Sequence, residues 1–434
     1  MRIGVFTDTY WPQTAGIDVA VKLSVKALKE AGNEVYIITP DDPRITVEER
    51  EKEKDDNVIR VPSIKVPGQS EGTRLGIPWI PSVIKKIESL NLDVVHSHTE
   101  FTMKMMAGKI AKRNNIKHCY TYHTMFKDIS EYLFPSFLKE FGYKVAKWIS
   151  IKSCSNCDEI IVPSEKVRDT LINYGIKKEI KVVPTEIDKE SINQVDEKSA
   201  EVLELKKRWG ICEGEPVLLA IGRLEKDKEF SKIIEQMPKI IEKNPNTKLM
   251  IVGQGPLKSK LELLAKKLDV ESAVIFVGGQ KYDDMGKYYK LGNILINAAT
   301  AGTQGLIFSE AMAAGIPIIT IASEGLTNRI KETQSGIVAD SIEQIPDEVL
   351  RVIEDETVAS ELVENGHNYI KSGSKETYIN TMLGIYSSGG SESFEKDKES
   401  DEKGFQEADA MIDNEHKNTP LTETKGITQI NNEL

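Results

Sequence analysis

Pro216-Val217-Leu218-Leu219-Ala220-Ile221-Gly222-Arg223-Leu224 is the stretch that decides how this chain folds. The unbroken apolar run from Val217 to Ile221 is too short for a buried helix and is bounded by Pro and Gly. It reads as a strand covered on both faces, the signature of a parallel sheet. A helical pattern follows over 228–243, opened by Lys228. A strand that feeds a helix through a glycine turn is the start of a βαβ unit. Ligands of such sheets collect beyond the carboxyl ends of the strands, which puts Gly222, Arg223 and Lys228 at the mouth of a site.

The alternation runs outward in both directions. Toward the C-terminus it predicts strands at 248–252, 273–277, 292–297, 316–320 and 335–338, with helices at 257–268, 282–290, 304–314 and 345–354. Toward the N-terminus it predicts strands at 2–7, 34–39, 58–62, 93–97, 117–121, 158–162 and 180–184, with helices at 17–31, 101–114 and 165–174. A polar, charged stretch at 185–214 separates the two series. The expectation is an α/β protein of two Rossmann-like domains: 1–187, then 188–370. Residues 371–387 read as a C-terminal helix that returns to the first domain. Residues 388–434 read as an acidic, disordered tail. Residues 41–56 are so charged that they read as an exposed loop.

A length of 434 residues suits two domains with extra segments. The net charge is -11, but residues 391–434 hold twelve acids against five lysines, so the tail dominates it. Neither half is basic overall, which argues against nucleic acid as a partner. The four cysteines, Cys119, Cys154, Cys157 and Cys212, suit a reducing compartment. Cys154 and Cys157 form a lone CxxC with no second pair, so a buried helix end is the plainer reading than zinc. The first residues lack the apolar run of a signal peptide, and no stretch of about 18 apolar residues could span a membrane.

Several chemistry-bearing residues follow strands. Asp8 ends the first strand, and Gly16, which suits close backbone approach to a ligand, opens the first helix. His96, His98 and Glu100 follow a later strand, and His123 another. No third ligand completes a metal site with the two paired histidines, so no metal is expected. In the second half, Arg223 and Lys228 beside a helix start make a diphosphate site. Gly253-Gln254-Gly255-Pro256 permits a tight turn near a base. Gln304, Gly305 and Leu306 lead into a helix whose amides can hold phosphate, and Glu310 two turns in can accept from ribose hydroxyls. Lysine-rich runs (Lys104, Lys109, Lys112, Arg113 and Lys117; then Lys139, Lys144, Lys147 and Lys152) are either solvated faces or contacts with anionic lipid. Residues 74–90, with Leu75, Trp79, Ile80 and Ile84, are either an amphipathic membrane helix or a core helix.

At these residues the chain resembles the retaining GT-B glycosyltransferases of family 4, and within them the bacterial diacylglycerol glucosyltransferases. The resemblance rests on Phe6-Thr7-Asp8-Thr9-Tyr10, His96 with Thr99-Glu100-Phe101, and Thr121-Tyr122-His123-Thr124-Met125 with Asp128. It continues through Pro163-Ser164-Glu165, Gly222-Arg223-Leu224 with Lys228, Gly253-Gln254-Gly255-Pro256, and Thr303-Gln304-Gly305-Leu306 with Glu310. It spans about residues 1–385 and implies a hexosyltransferase with a UDP-sugar donor and a lipid acceptor, peripheral on an anionic membrane surface at the cytoplasmic face. Arg223 and Lys228 would neutralise the leaving diphosphate, His123 would face the donor sugar, and Glu310 would hold the ribose. Asp8, Gly16 and Asp128 would border the acceptor. No cofactor or metal would be needed, because the leaving phosphate takes the acceptor proton. Three positions depart from the family pattern: Gly302 replaces a Glu, Glu186 replaces a Gly, and Glu131 replaces a His. Two other readings stay open: a binding subunit without turnover, and a transferase acting on a soluble or polysaccharide acceptor.

Overall fold

The computed structural model describes residues 1–12, 16–66, 74–126, 139–299, 302–323, 326–373 and 375–388, with the backbone alone for Lys52, Asp55 and Ser372. The expected helix over 371–387 falls largely inside this range. The acidic tail, Asp128 and Glu131 lie outside it.

Two parallel sheets carry the fold. The strands of the first half are β1 (Arg2–Phe6), β2 (Glu34–Pro40), β3 (Val58–Val61), β6 (Val94–Ser97), β7 (Lys117–Thr121), β8 (Glu159–Val162) and β9 (Ile180–Val182). Their order is β3-β2-β1-β6-β7-β8-β9, while β4 (Ser63–Lys65) and β5 (Arg74–Gly76) form a small antiparallel pair. The second sheet is built from β10 (Val217–Ile221), β11 (Lys248–Val252), β12 (Val274–Gly278), β13 (Ile294–Asn297), β14 (Ile318–Ile321) and β15 (Gly336–Ala339), in the order β12-β11-β10-β13-β14-β15. Each half therefore reverses its strand order beside its first strand, at β1/β6 and at β10/β13. A crevice opens at such a reversal because the two connecting helices leave in opposite directions.

Apolar periodicity explains the packing. Val21, Val25 and Leu28 recur at helical spacing on the helix Gly16–Glu30 and meet Ile3, Val5, Val35 and Ile37 of the first sheet. The last described helix, Lys375–Ser387, adds Met382, Ile385 and Tyr386 to that same cluster. Lys117 caps its far end, donating to the Ile385 carbonyl at 2.8 Å.

Local differences from the sequence reading have physical causes. Residues 41–56 contain the helix Val47–Asp55, started by a capping box in which Thr46 Oγ1 accepts from Glu49 N at 3.2 Å and Glu49 Oε2 accepts from Thr46 N at 2.9 Å. The span 74–90 is not one helix. It gives β5 and then the helix Pro81–Glu88, which turns Ile84 and Ile87 inward and leaves Trp79 63% exposed on the preceding turn. Lys228 lies in a single 3-10 turn, Lys226–Lys228, and the helix proper begins at Phe230. The polar stretch 185–214 holds the short helices Lys189–Asn193 and Ala200–Arg208, which bury Ile192 and Val202 against the second half. Two of the lysines read as a charged face are buried. The Lys104 ammonium sits 3.4 Å from the Tyr120 ring centroid, and Lys117 is the cap just described.

Four histidines, His96, His98, His118 and His123, are buried in the first half. Burial lowers the pKa of His96 from 6.5 to about 3 and of His123 to about 4, and holds His98 and His118 well below the usual imidazole value. Below pH 6.5 the unfolded chain takes up protons that these rings refuse, so the rings cost stability as pH falls through that window. Glu100 works the other way, because burial raises its carboxyl from 4.5 to about 7, and burial raises the carboxyls of Asp8 and Glu310 in the same direction. Four imidazoles outweigh three carboxyls. The melting temperature is therefore expected to be several degrees lower at pH 5 than at pH 7.5, with net proton uptake on unfolding. An equal or higher value at pH 5 would contradict this.

Candidate active site

The donor side is built on glycines. An added Cβ on Gly253 would stand 1.8 Å from the Gly222 carbonyl oxygen, and one on Gly255 2.5 Å from the Leu224 carbonyl oxygen. The loops after β10 and β11 therefore touch backbone to backbone, and hydrogen bonds lock them: Gly222 N to Val252 O at 3.1 Å, and Leu224 N to Gln254 O at 2.9 Å. Gly253 also has φ +155, in the region that disfavours side chains.

This floor sets the two cations. The Lys228 stem lies about where a Gly222 Cβ would point, its Cγ and Cδ 3.7 Å from that position. Arg223 is exposed and bonds Glu225 at 2.8 Å, while Lys228 pairs with Asp227 at 2.9 Å. Both pairs are partly open to solvent. Such pairs are worth about 0–1 kcal/mol, so a doubly charged phosphate group can displace them. In the free protein these cations are held by neighbouring acids and are not fixed in an open pocket, as the sequence alone had implied.

Across β13, Gly305 adopts φ +70 and starts the helix Leu306–Ala314, leaving the first-turn amides of Leu306 and Ile307 without helical partners. Glu310 lies on the buried side of that helix at 5% exposure. Its Oε2 accepts from the Tyr289 hydroxyl at 2.6 Å, and burial raises its pKa. The carboxylate expected at the ribose is thus already engaged by Tyr289, with the Tyr282 hydroxyl close to it as well. Gln304 does not point at a donor. Its amide pairs with the Thr185 backbone in both directions, at 3.0 Å each. An added Cβ on Gly302 would lie 3.3 Å from Leu326 Cδ1, so a side chain there would require Leu326 to shift. Glu186 is turned aside to Lys189 at 3.2 Å, whose ammonium also holds the carbonyls of Ile370 and Gly373.

In the first half, Asp8 is buried. Its carboxylate accepts from Thr99 and Thr102 hydroxyls at 2.6 Å each and from Met103 N at 3.1 Å. It caps the helix Thr102–Asn114 from the end of β1, so the side chain expected to border the acceptor points inward. Around Gly16 no atom of the described residues lies within 4 Å of an added Cβ, so their packing does not demand glycine there. His98 and His123 meet at the ends of β6 and β7, with His98 Nδ1 3.1 Å from His123 Nε2. Behind them, His96 Nδ1 lies 2.8 Å from the Tyr386 hydroxyl and its Nε2 2.7 Å from Thr121 Oγ1. Glu100 accepts from Tyr120 at 3.0 Å. Among the described residues no group of three or more His, Cys, Asp or Glu is arranged to hold a metal ion.

The carboxyl edges of the two sheets face each other. Ser164, past β8, donates to the Thr303 carbonyl at 2.6 Å, and Lys22 bonds Asp283 at 2.7 Å. The Lys281 ammonium sits 5.2 Å from the centroid of Trp11. Sequence reasoning singled out neither Tyr386 nor Tyr289 as site neighbours, because nothing in the local pattern links positions so far apart along the chain.

The Gly253 contact gives a direct test. Gly253→Ala is expected to cost at least about 2 kcal/mol of stability, in the range for forced backbone shifts, whereas Gly16→Ala leaves stability unchanged. Chemical denaturation of both variants checks this, and a neutral Gly253→Ala would refute the contact.

The chain matches two family models: Glycosyltransferase Family 4 over residues 14–191 and Glycosyl transferases group 1 over residues 201–369. It is 30% identical to an alpha-monoglucosyldiacylglycerol synthase of Acholeplasma laidlawii over 391 residues, covering 89% of this chain and 96% of that one. A synthase of the same name from Streptococcus pneumoniae is 30% identical over 336 residues, covering 77% and 74%. Among solved structures, Anabaena HepE in complex with UDP superposes with a TM-score of 0.68 at 14% identity, over 90% of this chain and 100% of that one. WaaG, a glycosyltransferase involved in lipopolysaccharide biosynthesis, does so with a TM-score of 0.64 at 18% identity, over 90% and 100%. The chain belongs to family 4 of the glycosyltransferases and is a hexosyltransferase with the GT-B fold.

Proposed function

We propose that the protein moves a hexose, glucose by preference, from a UDP-sugar to a diacylglycerol-type lipid at the cytoplasmic face of the membrane, with retention of configuration. The observation that carries this reading is the glycine-locked floor that carries Arg223 and Lys228 past the carboxyl end of β10, with the first-turn amides of the helix starting at Leu306 past the end of the neighbouring strand β13. Cations and amides so placed meet negative charge as it grows on a departing diphosphate. The bond from the anomeric carbon to the diphosphate breaks, the bond to the acceptor oxygen forms on the same face, and the acceptor proton passes to the leaving phosphate. No metal is needed in this scheme. His123 faces the sugar, and Glu310 meets the ribose hydroxyls in exchange for a tyrosine partner.

Two likenesses support donor and acceptor. Structures of Anabaena HepE contain UDP and UDP-glucose, and the relatives at 30% identity are glucosyldiacylglycerol synthases by name. The first half also exposes Trp79, Phe101, Met105 and Trp148. Lys85, Lys86, Lys109, Lys112 and Lys147 occur on the same helices or next to them. Aromatic side chains mixed with lysines suit an anionic lipid surface. No helix among the described residues is long and apolar enough to cross a membrane.

Purified protein with UDP-glucose and vesicles of diacylglycerol and anionic phospholipid is expected to yield glucosyldiacylglycerol and an equal amount of UDP, unchanged by EDTA. Arg223→Gln is expected to lower kcat/KM by roughly 10²–10³. UDP release only with a soluble acceptor would refute the lipid assignment, and absence of UDP release with any acceptor would refute the transfer itself.

A further inference from the structure

His98 is 3% exposed, and its Nε2 meets no hydrogen-bond partner among the described residues. Its Nδ1 is 3.1 Å from Nε2 of His123. The two ring centroids are 5.3 Å apart and the planes differ by 20°. The rings therefore meet edge to edge in nearly one plane, the arrangement in which an N–H of one ring points at the lone pair of the other. One of the two facing nitrogens must carry the proton, and burial keeps both rings neutral.

The orphaned Nε2 of His98 decides which. With the proton on Nε2, a donor would be buried with nothing to accept it, and orphaned buried N–H groups are rare. The proton therefore resides on Nδ1 and is donated to His123. A neutral His123 that accepts at Nε2 must carry its own proton on Nδ1. His123 keeps 9% exposure at the end of β7, and no described group meets its Nδ1. The His98 ring is held from behind by His96, at a centroid distance of 4.0 Å, and His96 is itself pinned by Tyr386 and Thr121.

We propose that His98 is a positioning residue that locks His123 in the Nδ1–H tautomer, so that His123 presents a fixed donor to an oxygen of the donor hexose. The proposal rests on the UDP-sugar reading of the cleft.

Nitrogen NMR of the full chain labelled with ¹⁵N-histidine tests it without any mutation. At pH 7.5, His123 Nε2 is expected at the shift of an unprotonated nitrogen and Nδ1 at that of a protonated one. A protonated Nε2 on His123 overturns the proposal. His98→Leu, close in size and unable to donate, is expected to release His123 to the opposite tautomer and to lower kcat for UDP-glucose transfer roughly tenfold, with KM little changed. His98→Asn keeps an amide N–H near the position of Nδ1 and is expected to restore most of the rate. Equal losses in both variants, or no loss in His98→Leu, overturn the proposal. Calorimetry with UDP separates the two levels. A wild-type protein that binds no UDP sinks the donor assignment itself, whereas intact UDP binding with an unmoved His123 signal in His98→Leu sinks only the role of His98.

Discussion

In the second half two backbones touch, and the donor side depends on that contact. The space where Gly253 lacks a side chain is filled by the Gly222 carbonyl. Any Cβ would push the loops after β10 and β11 apart and break the hydrogen bond that ties Leu224 to Gln254. With the loops joined, the chain leaves β10 in one direction only, Arg223 stands out toward solvent, and the Lys228 stem folds back over Gly222. The carboxylates that hold these cations, Glu225 and Asp227, are close in sequence and partly solvated. Such an arrangement keeps the cations ordered before a ligand arrives but holds them weakly enough to let go.

The first half is organised by burial of polar groups. Asp8 spends its carboxylate on the start of the helix Thr102–Asn114, and three imidazoles, His96, His98 and His123, form a neutral wall reaching back to Tyr386, while His118 bonds Ser97. Because Tyr386 comes from the helix Lys375–Ser387, that helix reinforces the side on which the sugar is proposed to sit. The clasp between Gln304 and Thr185, together with the bond from Ser164 to Thr303, brings the two carboxyl edges into contact at the backbone. Of the family departures, Glu186 is absorbed by Lys189, while a side chain at Gly302 would press on Leu326.

Much of this fold was legible in the sequence. Strands covered on both faces read as plain apolar runs, so β1, β10, β11 and β13 stand close to where their residues place them. Helices with one apolar stripe, such as Gly16–Glu30, were equally plain. The loop reading of 41–56 failed because its charge masked a capping box that Thr46 and Glu49 spell out. The reading of 74–90 as one helix failed because Gly76 and Pro81 divide it and β5 pairs with β4. Lys104 and Lys117 counted as surface charges until tertiary packing supplied an aromatic face and a helix end. At the site, the glycines and cations were visible because their chemistry is local. The partners of Glu310, His96 and Gln304 were not, because Tyr289, Tyr386 and the Thr185 backbone are brought to them only by the folded topology.

Another concavity competes for any ligand. A cavity of about 820 Å³ lies at the opposite, amino ends of β10 and β13, lined by Cys212, Pro216, Asn293, His367 and Lys371 among others. Hydrogen–deuterium exchange with and without UDP tells the two places apart in one measurement. The account predicts slower exchange at 222–228, 253–257 and 305–307 when UDP is present. Protection confined to 212–217 and 360–371, with the glycine-locked loops unaffected, would contradict it.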